Sequence, residues 1–373
     1  MPEISVMIKP ASGLCNMKCE YCFYADEMNN RKQASYGIMQ PETMEEVIKK
    51  TLKFATSRCT FIFQGGEPTL AGLTFYRQWI DCERKYNVNN IEIFHSIQTN
   101  GLLLNEEWFQ FLRDNSFLVG LSIDGIEVTH DIYRKDMQGK GTYSKVLDAA
   151  NKLQLWQIDF NVLTVVNRET ASQIHQIYDM YKKRGFLWQQ YIACLAPINS
   201  KPDTIDYSVS AEMYGDFLIA LFDLWEKDVW NGTQPYIRQF ENYIGILLGI
   251  QPESCEQRGV CSFQMIVEAD GSVYPCDFYV LDEYKMGNLS VDDFDSIDKE
   301  RQKSTFVKRS YNHVKTCLSC EYYAICRGGC CRNREQFGEE YGKNIFCSGY
   351  KKFFAHSLER MMRIAEWVKT RHI

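Results

Sequence analysis

No apolar stretch of this chain is long enough to cross a membrane. The longest near-continuous run, YIGILLGI at 243–250, falls far short of the ~18 residues a spanning helix needs. Charge is not concentrated either: 42 basic residues stand against 48 acidic ones, a formal −6. There is no long block of either sign, so the chain lacks the counterion-releasing surface that nucleic acid requires. Neither a membrane nor a nucleic acid is expected as a partner. The opening MPEISVMIKPAS has no basic segment followed by an apolar one, as a secretory signal would. Of the six histidines (His95, His130, His175, His313, His356, His372) none stands at metal-ligand spacing. The 9 prolines and 23 glycines are scattered, with neither a low-complexity tract nor a repeat period, which sets aside a solenoid.

What the sequence has in quantity is cysteine, 15 in 373 residues. At about 4% this is below the roughly 8–10% of a disulfide scaffold. The odd number and the C-x3-C and C-x2-C spacings point to reduced thiols in a cytoplasmic protein, holding metal rather than each other. With 45% hydrophobic and 24% charged residues, the chain suits a globular enzyme of one large domain and a smaller one.

Through the first 230 residues short β-rich runs alternate with helical patterns, the signature of βα units and a mainly parallel sheet. Strands are expected at Ile4–Lys9, Thr60–Phe63, Ile91–Gln98, Leu118–Ser122, Phe160–Val166 and Trp188–Ala193. Each is followed by loop signals such as GGEP, TNG, DG or AP. Helices are expected from Pro41, where Met44, Val47, Ile48, Leu52 and Ala55 recur at helical spacing, and at Leu73–Tyr86, Glu106–Asn115, Tyr143–Leu155, Thr170–Arg184 and Ala211–Val229. Six units fit a partial barrel or a doubly wound sheet, and both place function at the C-terminal ends of the strands. A helical connector spans 231–254. A cysteine-rich module follows at 255–349, with short strands at Phe263–Glu268 and Val273–Tyr274 around an Asp270-Gly271 turn. A last helix, at 350–373, carries Phe354, Leu358, Met361, Ala365 and Val368 as one apolar stripe.

Cys15, Cys19 and Cys22 form C-x3-C-x2-C just after the first strand. Three ligands, not four, is the informative number. Structural zinc closes with four, whereas a four-iron cluster on three cysteines leaves one iron open; the alternative is zinc that borrows a distant histidine. A second set, Cys255, Cys261 and Cys276 followed by Cys317, Cys320, Cys326, Cys330 and Cys347, makes eight thiols. That is enough for two four-ligand sites, of zinc or of iron–sulfur clusters.

CNMKCEYCFY, FQGGEP, SIQTNG and LSIDG resemble the radical S-adenosylmethionine enzymes. That resemblance implies a partial (β/α)6 TIM-like barrel over 1–230, in an α/β chain. It also implies a [4Fe-4S] cluster on Cys15, Cys19 and Cys22 that chelates S-adenosylmethionine and supplies one-electron chemistry, while the protein supplies position and shielding. By the same resemblance Gly66 and Glu67 serve the methionyl amine, Ser122 and Arg134 the ribose and carboxylate, and Tyr21 and the Leu195 backbone the adenine. Bland readings stand beside these: a glycine turn, a strand-end cap at Ser122, a surface cation at Arg134.

The later cysteines are similar to the SPASM-type extension of peptide-modifying radical enzymes. This implies two further [4Fe-4S] clusters, one on Cys255, Cys261, Cys276 and Cys330, the other on Cys317, Cys320, Cys326 and Cys347. Cys330 is chosen over Cys331 because x3 after Cys326 matches that family. Cys59, Cys82, Cys194 and Cys331 are left as inert thiols.

SVYPCDFYVLDEYKMGNL at 272–289, with CNMKCEYCFY and FQGGEPTLAGL, resembles the anaerobic sulfatase-maturating enzymes over nearly the whole chain. The implied activity is oxidation of a cysteine or serine of a sulfatase to Cα-formylglycine, by hydrogen abstraction at Cβ with an electron passed to an auxiliary cluster. Asp277 would be the base, or else cap a turn, and Tyr24 and Gln64 would contact the peptide, or else only pack. The implied partners are an extended or unfolded sulfatase segment and an electron donor such as a flavodoxin or ferredoxin. The alternative within enzymes is a radical protein forming thioether or carbon–carbon crosslinks. Such proteins often carry a peptide-binding module ahead of the barrel, and a first cysteine at position 15 leaves no room for one. A non-catalytic iron–sulfur carrier is the alternative of a different class, but a carrier needs no 230-residue βα domain.

Overall fold

Alternation in ISVMI turns Ile4, Val6 and Ile8 inward, and this strand organises the sheet around it. The computed structural model describes residues 3–198, 200, 205–335 and 342–371. Among them the strands are β1 (Ile4–Ile8), β2 (Arg58–Phe63), β3 (Glu92–Thr99), β4 (Leu118–Ser122), β5 (Phe160–Val166), β6 (Trp188–Ala193), β7 (Tyr236–Ile237), β8 (Met265–Val267), β9 (Ser272–Tyr274) and β10 (Gly287–Asn288). Contacts divide the chain into two compact units.

The first unit comprises the residues up to Ile123, Asp131–Asn161 and Phe263–Ser304. Its strands run in the order β10-β9-β8-β1-β2-β3-β4. The pairs from β8 through β4 are parallel, while β8–β9 and β9–β10 are antiparallel. Cys59, Phe61 and Phe63 of β2 are fully buried. Against them the helix Leu73–Tyr86 sets Trp79, whose ring lies 4.9 Å from Phe63 and 5.1 Å from Phe61 in edge-on geometry. Each such buried Phe is worth about 1.5–3 kcal/mol. The helix Pro41–Phe54 begins with Pro41 in its first turn and buries Met44, Val47, Ile48 and Leu52, the stripe read from the sequence.

The expected module boundary at 255 does not coincide with the division of the structure. Residues 263–304 belong to the first unit, because β8 pairs in parallel with β1 (Val6 with Met265, Ile8 with Val267). The hairpin at Asp270-Gly271 turns through Gly271 at φ +88. It buries Ile266 and Tyr274 with Val280 against Met7.

The second unit comprises Asp124–His130, Val162–Ser262 and the chain from Thr305 onward. In it β5, β6 and β7 are parallel neighbours. Three expectations are corrected here. The single helix expected at Thr170–Arg184 is two, Arg168–Ser172 and Ile174–Lys183. The Asn167 side chain caps the first by accepting from the Thr170 N–H, and Gln173 leaves helical geometry between them. The connector at 231–254 contains β7 before its helix Arg238–Leu247. The helix ending expected at Val229 comes at Asn231, where Gly232 takes the left-handed conformation.

The last helix begins at Cys347, three residues earlier than expected, and runs to Arg371; residues 372 and 373 lie outside the described residues. It buries Phe353, Phe354, Ser357, Met361, Ile364 and Ala365, so the stripe is centred one position from the expected one, with Leu358 and Val368 at its margins. It crosses the helix Ala211–Asn231 at a glycine pair: a Cβ on Gly215 would stand 2.8 Å from the Gly349 Cα, and one on Gly349 would run into the Ala211 carbonyl oxygen.

Candidate active site

Two segments of the first unit meet at the C-terminal ends of β1 and β2. The loop after β1 carries Cys15, Cys19 and Cys22, and Cys22 stands at the start of the helix Phe23–Asn29. The GGEP segment after β2 approaches this loop backbone to backbone: the Gly66 N–H donates to the Ser12 carbonyl at 2.9 Å and the Glu67 N–H to the Leu14 carbonyl at 2.7 Å. A Cβ on Gly66 would collide with the Leu14 oxygen and with Gly13, so only glycine allows the approach.

Glu67 is buried and its carboxylate is committed. It accepts from the Thr69 N–H (3.0 Å), the Thr69 hydroxyl (2.6 Å), the Thr99 hydroxyl (2.7 Å) and the Asn100 N–H (2.8 Å). The side chain thus ties the end of β2 to the end of β3. Its pKa is raised by burial, against these hydrogen bonds. The Asn100 side chain in turn reaches the Cys15 sulfur at 3.9 Å, and the Met17 N–H donates to that sulfur at 3.4 Å. Tyr21 and Arg134 are brought together, the guanidinium 5.6 Å from the ring centre, with Tyr133 edge-on to Tyr21 at 6.1 Å. Ser122 ends β4, half-buried. Leu195 belongs to the second unit, where its carbonyl accepts from the Cys194 thiol at 3.9 Å.

Tyr24, Gln64 and Asp277, which the sequence singled out from three distant places, form one cluster. The Tyr24 hydroxyl donates to Oδ2 of Asp277 at 2.7 Å, and the Gln64 Nε2 donates to the same oxygen at 2.9 Å and to Tyr24 Oη at 2.6 Å. The rings of Phe23 and Phe278 pack edge-on, 5.0 Å apart, beside Tyr24 and Asp277. Oδ1 of Asp277 and Oε1 of Gln64 are buried, and neither has a hydrogen-bond partner among the described residues. Burial pushes the Asp277 carboxyl up, with Lys9 pulling it back. Burial, then Asp277, push the Tyr24 phenol well above its ordinary range, so it stays a donor.

Sequence reasoning missed the layer behind this cluster. Lys9, at the end of β1, is 3.2 Å from Glu27 and 3.6 Å from Glu268, and its ammonium stands 4.7 Å from the Tyr24 ring centre. Arg31 pairs with Glu268 at 2.7 Å and donates to Ser12 Oγ at 3.0 Å. All four charged groups are buried. Glu268 is held below the ordinary carboxylate range because Lys9 and Arg31 outweigh its burial, whereas burial lifts Glu27 to about 7 in spite of Lys9. The one available signal was a lysine closing an apolar strand.

The donor set fits iron–sulfur clusters. The candidate donors are all free thiols, and a four-iron cube takes one thiolate per iron. Burial pushes the Cys15 thiol up to about 12, a cost that bonding to iron removes. In the second unit Cys317, Cys320, Cys326 and Cys347 line one cavity with Tyr322, Tyr350 and Phe354, and Cys255 lies close enough to Cys330 for their charges to interact. Cys276 falls in the first unit. Cys59, Cys194 and Cys331 are buried.

The radical SAM superfamily model matches residues 10–181 and the SPASM iron-sulfur cluster-binding domain model residues 255–321. The cysteine-type anaerobic sulfatase-maturating enzyme of Clostridium novyi (strain NT) is 44% identical, over 98% of both chains. The chain belongs to the anaerobic sulfatase-maturating enzymes. A cysteine-type member of this family from Clostridium perfringens (strain 13 / Type A) is 41% identical over 99% of this chain and all of its own. The serine-type enzyme of Bacteroides thetaiotaomicron is 32% identical over 94% of this chain and 88% of its own. The solved structure of native anSMEcpe with bound AdoMet and Cp18Cys peptide is 40% identical with a TM-score of 0.93, covering 98% of this chain and all of that one. Membership decides between the two sheet architectures that periodicity left open: the βα portion is the partial barrel of radical S-adenosylmethionine enzymes, followed by a SPASM domain.

Proposed function

We propose that the chain oxidises the side chain of a target cysteine in an extended sulfatase segment to Cα-formylglycine, with Asp277 as the base. The enzyme carries three [4Fe-4S] clusters and S-adenosylmethionine. Cys15, Cys19 and Cys22 would hold the cluster to which S-adenosylmethionine binds, and the bound cofactor would supply one-electron chemistry that abstracts a hydrogen atom at the substrate Cβ. Tyr21, Gly66, Glu67, Ser122, Arg134 and Leu195 serve that cofactor, Glu67 through its backbone because its carboxylate is taken.

The protein then handles a proton and an electron. Loss of Cβ–H, of the thiol proton and of one further electron turns R–CH2–SH into a thioaldehyde, which water converts to the aldehyde with release of hydrogen sulfide. Asp277 takes the thiol proton on Oδ1, while Tyr24 and Gln64 hold Oδ2 and so aim the free oxygen. Cys255, Cys261, Cys276 and Cys330 would hold a cluster that could accept that electron; Cys276 immediately precedes the base. Cys317, Cys320, Cys326 and Cys347 would hold a second cluster, which would supply further electron-transfer capacity. The free Oδ1 beside a twice-held Oδ2 is the observation that carries this reading: a carboxylate that only capped a turn would not leave a buried oxygen unused.

A cysteine target is preferred to serine because identity to the cysteine-type relatives is higher, 44% and 41% against 32%. Crosslink formation is not favoured by any of these relatives. No helix among the described residues is long and apolar enough to cross a membrane, and we place the enzyme in the cytoplasm with a flavodoxin or ferredoxin as electron donor. The test is anaerobic incubation of the reduced holoenzyme with sulfatase peptides carrying Cys or Ser at the target position, read by mass spectrometry and aldehyde trapping. An aldehyde on the Cys peptide with 5′-deoxyadenosine release is expected. A crosslinked product without aldehyde overturns the reading.

A further inference from the structure

Glu27 lies one turn beyond Tyr24 on the helix Phe23–Asn29, so the two side chains leave the same side of it. It is 2% exposed, and its two carboxylate oxygens work in different directions. Oε2 accepts from the Lys9 ammonium at 3.2 Å, and Oε1 accepts from the Val280 N–H at 3.2 Å. Val280 directly follows the short 3-10 turn Asp277–Tyr279. The helix therefore holds this turn at both ends: Tyr24 at the Asp277 carboxylate, Glu27 at the amide that leaves it. Farther along the same two segments, the Lys32 N–H donates to Oδ2 of Asp282 at 2.8 Å.

A turn of three residues needs such outside support. Within it the Tyr279 N–H donates to the Cys276 carbonyl at 3.0 Å, and 3-10 geometry makes poor hydrogen bonds. An uncharged acceptor would have served Val280 without the cost of burying a second carboxylate near Asp277. The charge at Glu27 has its use on the other oxygen. Lys9, Glu268 and Arg31 continue from it, Lys9 3.6 Å from Glu268 and Glu268 2.7 Å from Arg31. Lys9 follows β1 and Glu268 follows β8, which pair in parallel, so the chain of charges fixes Glu27 to the sheet. Glu27 passes that fixed reference on to the turn.

We propose that Glu27 is a positioning residue for Asp277: by gripping the Val280 N–H it sets the turn, and with it the direction in which Oδ1 is open. The inference rests on Asp277 being the base, as proposed above. Glu27 touches neither substrate nor reacting atoms and acts through Asp277 alone. Hydrogen abstraction from Cβ does not need the base, whereas removal of the thiol proton does. Loss of the grip should therefore leave cleavage of S-adenosylmethionine running while aldehyde falls behind it. A misplacement of about 1 Å is enough to cost about 10²-fold.

The experiment counts 5′-deoxyadenosine and aldehyde in the same anaerobic reaction of reduced holoenzyme with a sulfatase peptide carrying Cys at the target position. Glu27→Asp keeps the charge beside Lys9 but is one methylene too short to span from Lys9 to Val280. It should lower aldehyde per 5′-deoxyadenosine about tenfold, what a lost hydrogen bond to a charged group is worth, with the peptide KM unchanged. Lys9→Met, Glu27→Gln and Lys9→Met, Glu27→Leu form a matched pair: both lack the ion pair, and only Gln offers Val280 an oxygen. Gln should give about fivefold more aldehyde per 5′-deoxyadenosine than Leu, the worth of an uncharged hydrogen bond. If Glu27→Asp does not fold, the pair decides. A weakened fold lowers both products together and leaves their ratio alone. An unchanged ratio in Glu27→Asp therefore overturns the inference, as do equal ratios across the pair. Unchanged aldehyde in Asp277→Asn overturns the base reading instead, and the inference with it.

Discussion

The Tyr24 hydroxyl donates to Oδ2 of Asp277 at 2.7 Å across 253 residues of chain, while Oδ1 of the same carboxylate is buried and has no hydrogen-bond partner among the described residues. A carboxylate held on one side and open on the other is what a proton acceptor needs. Asp277→Asn keeps the shape and removes the basicity. Formylglycine formation should fall by about 10²–10⁴, with iron content and 5′-deoxyadenosine release retained. Unchanged aldehyde yield would place the base elsewhere.

Tyr24→Phe and Gln64→Leu each remove one donor to Oδ2 without touching the cysteines. Each should slow aldehyde formation by about tenfold, the worth of one hydrogen bond of ~1.5 kcal/mol to a charged group. Because both donors serve one oxygen, the double variant should cost less than the product of the singles. Full additivity in single-turnover rates would show that the two act separately.

Much of the fold was legible. β4, β5 and β6 begin and end at the expected residues, because each is an apolar run closed by a loop signal. β7 and β10 are two residues long, too short for any period, and the break at Gln173 depends on a side-chain cap. At the site, Tyr24, Gln64 and Asp277 followed from motifs. Lys9, Glu27, Arg31 and Glu268 did not, because they come from segments with no shared pattern and only the pairing of β8 with β1 brings Glu268 to Lys9. Gly215 and Gly349 looked ordinary for the same reason: only a helix crossing reveals what a Cβ would strike.

The Lys9 ammonium is buried between Glu27 and Glu268. Lys9→Met leaves Glu27 uncompensated and Glu268 with Arg31 alone, and should destabilise the protein by about 3–5 kcal/mol. Lys9→Met combined with Glu27→Gln should recover part of that loss, because the second change removes a buried charge. Thermal unfolding of the two variants decides it; a double variant no more stable than the single would show that Glu27 is not what Lys9 offsets.

Gly66→Ala sets a methyl against the Leu14 carbonyl, inside the loop that carries Cys15. The loop must give way, so the first cluster should be lost while the auxiliary ones assemble: about eight irons per chain instead of about twelve. Iron analysis after anaerobic reconstitution checks it, and full iron with normal cleavage of S-adenosylmethionine would refute the close-approach argument.

Glu241 isolates a pH effect from the clusters. Burial alone lifts its carboxyl to about 7, above the ordinary value near 4.5, so the folded state binds its proton more tightly than the unfolded chain does. Between about pH 4.5 and 7 the folded state therefore holds more protons, and stability falls as pH rises through that window. Above it the full cost of a partly buried charge is present, on the order of 1–2 kcal/mol after allowance for its remaining exposure. Glu241→Gln removes that cost: it should be more stable than the unaltered protein at pH 8 and nearly equal to it at pH 5. Melting temperatures at the two pH values measure the difference, and a gain that is the same at both would mean the charge at Glu241 is already solvated.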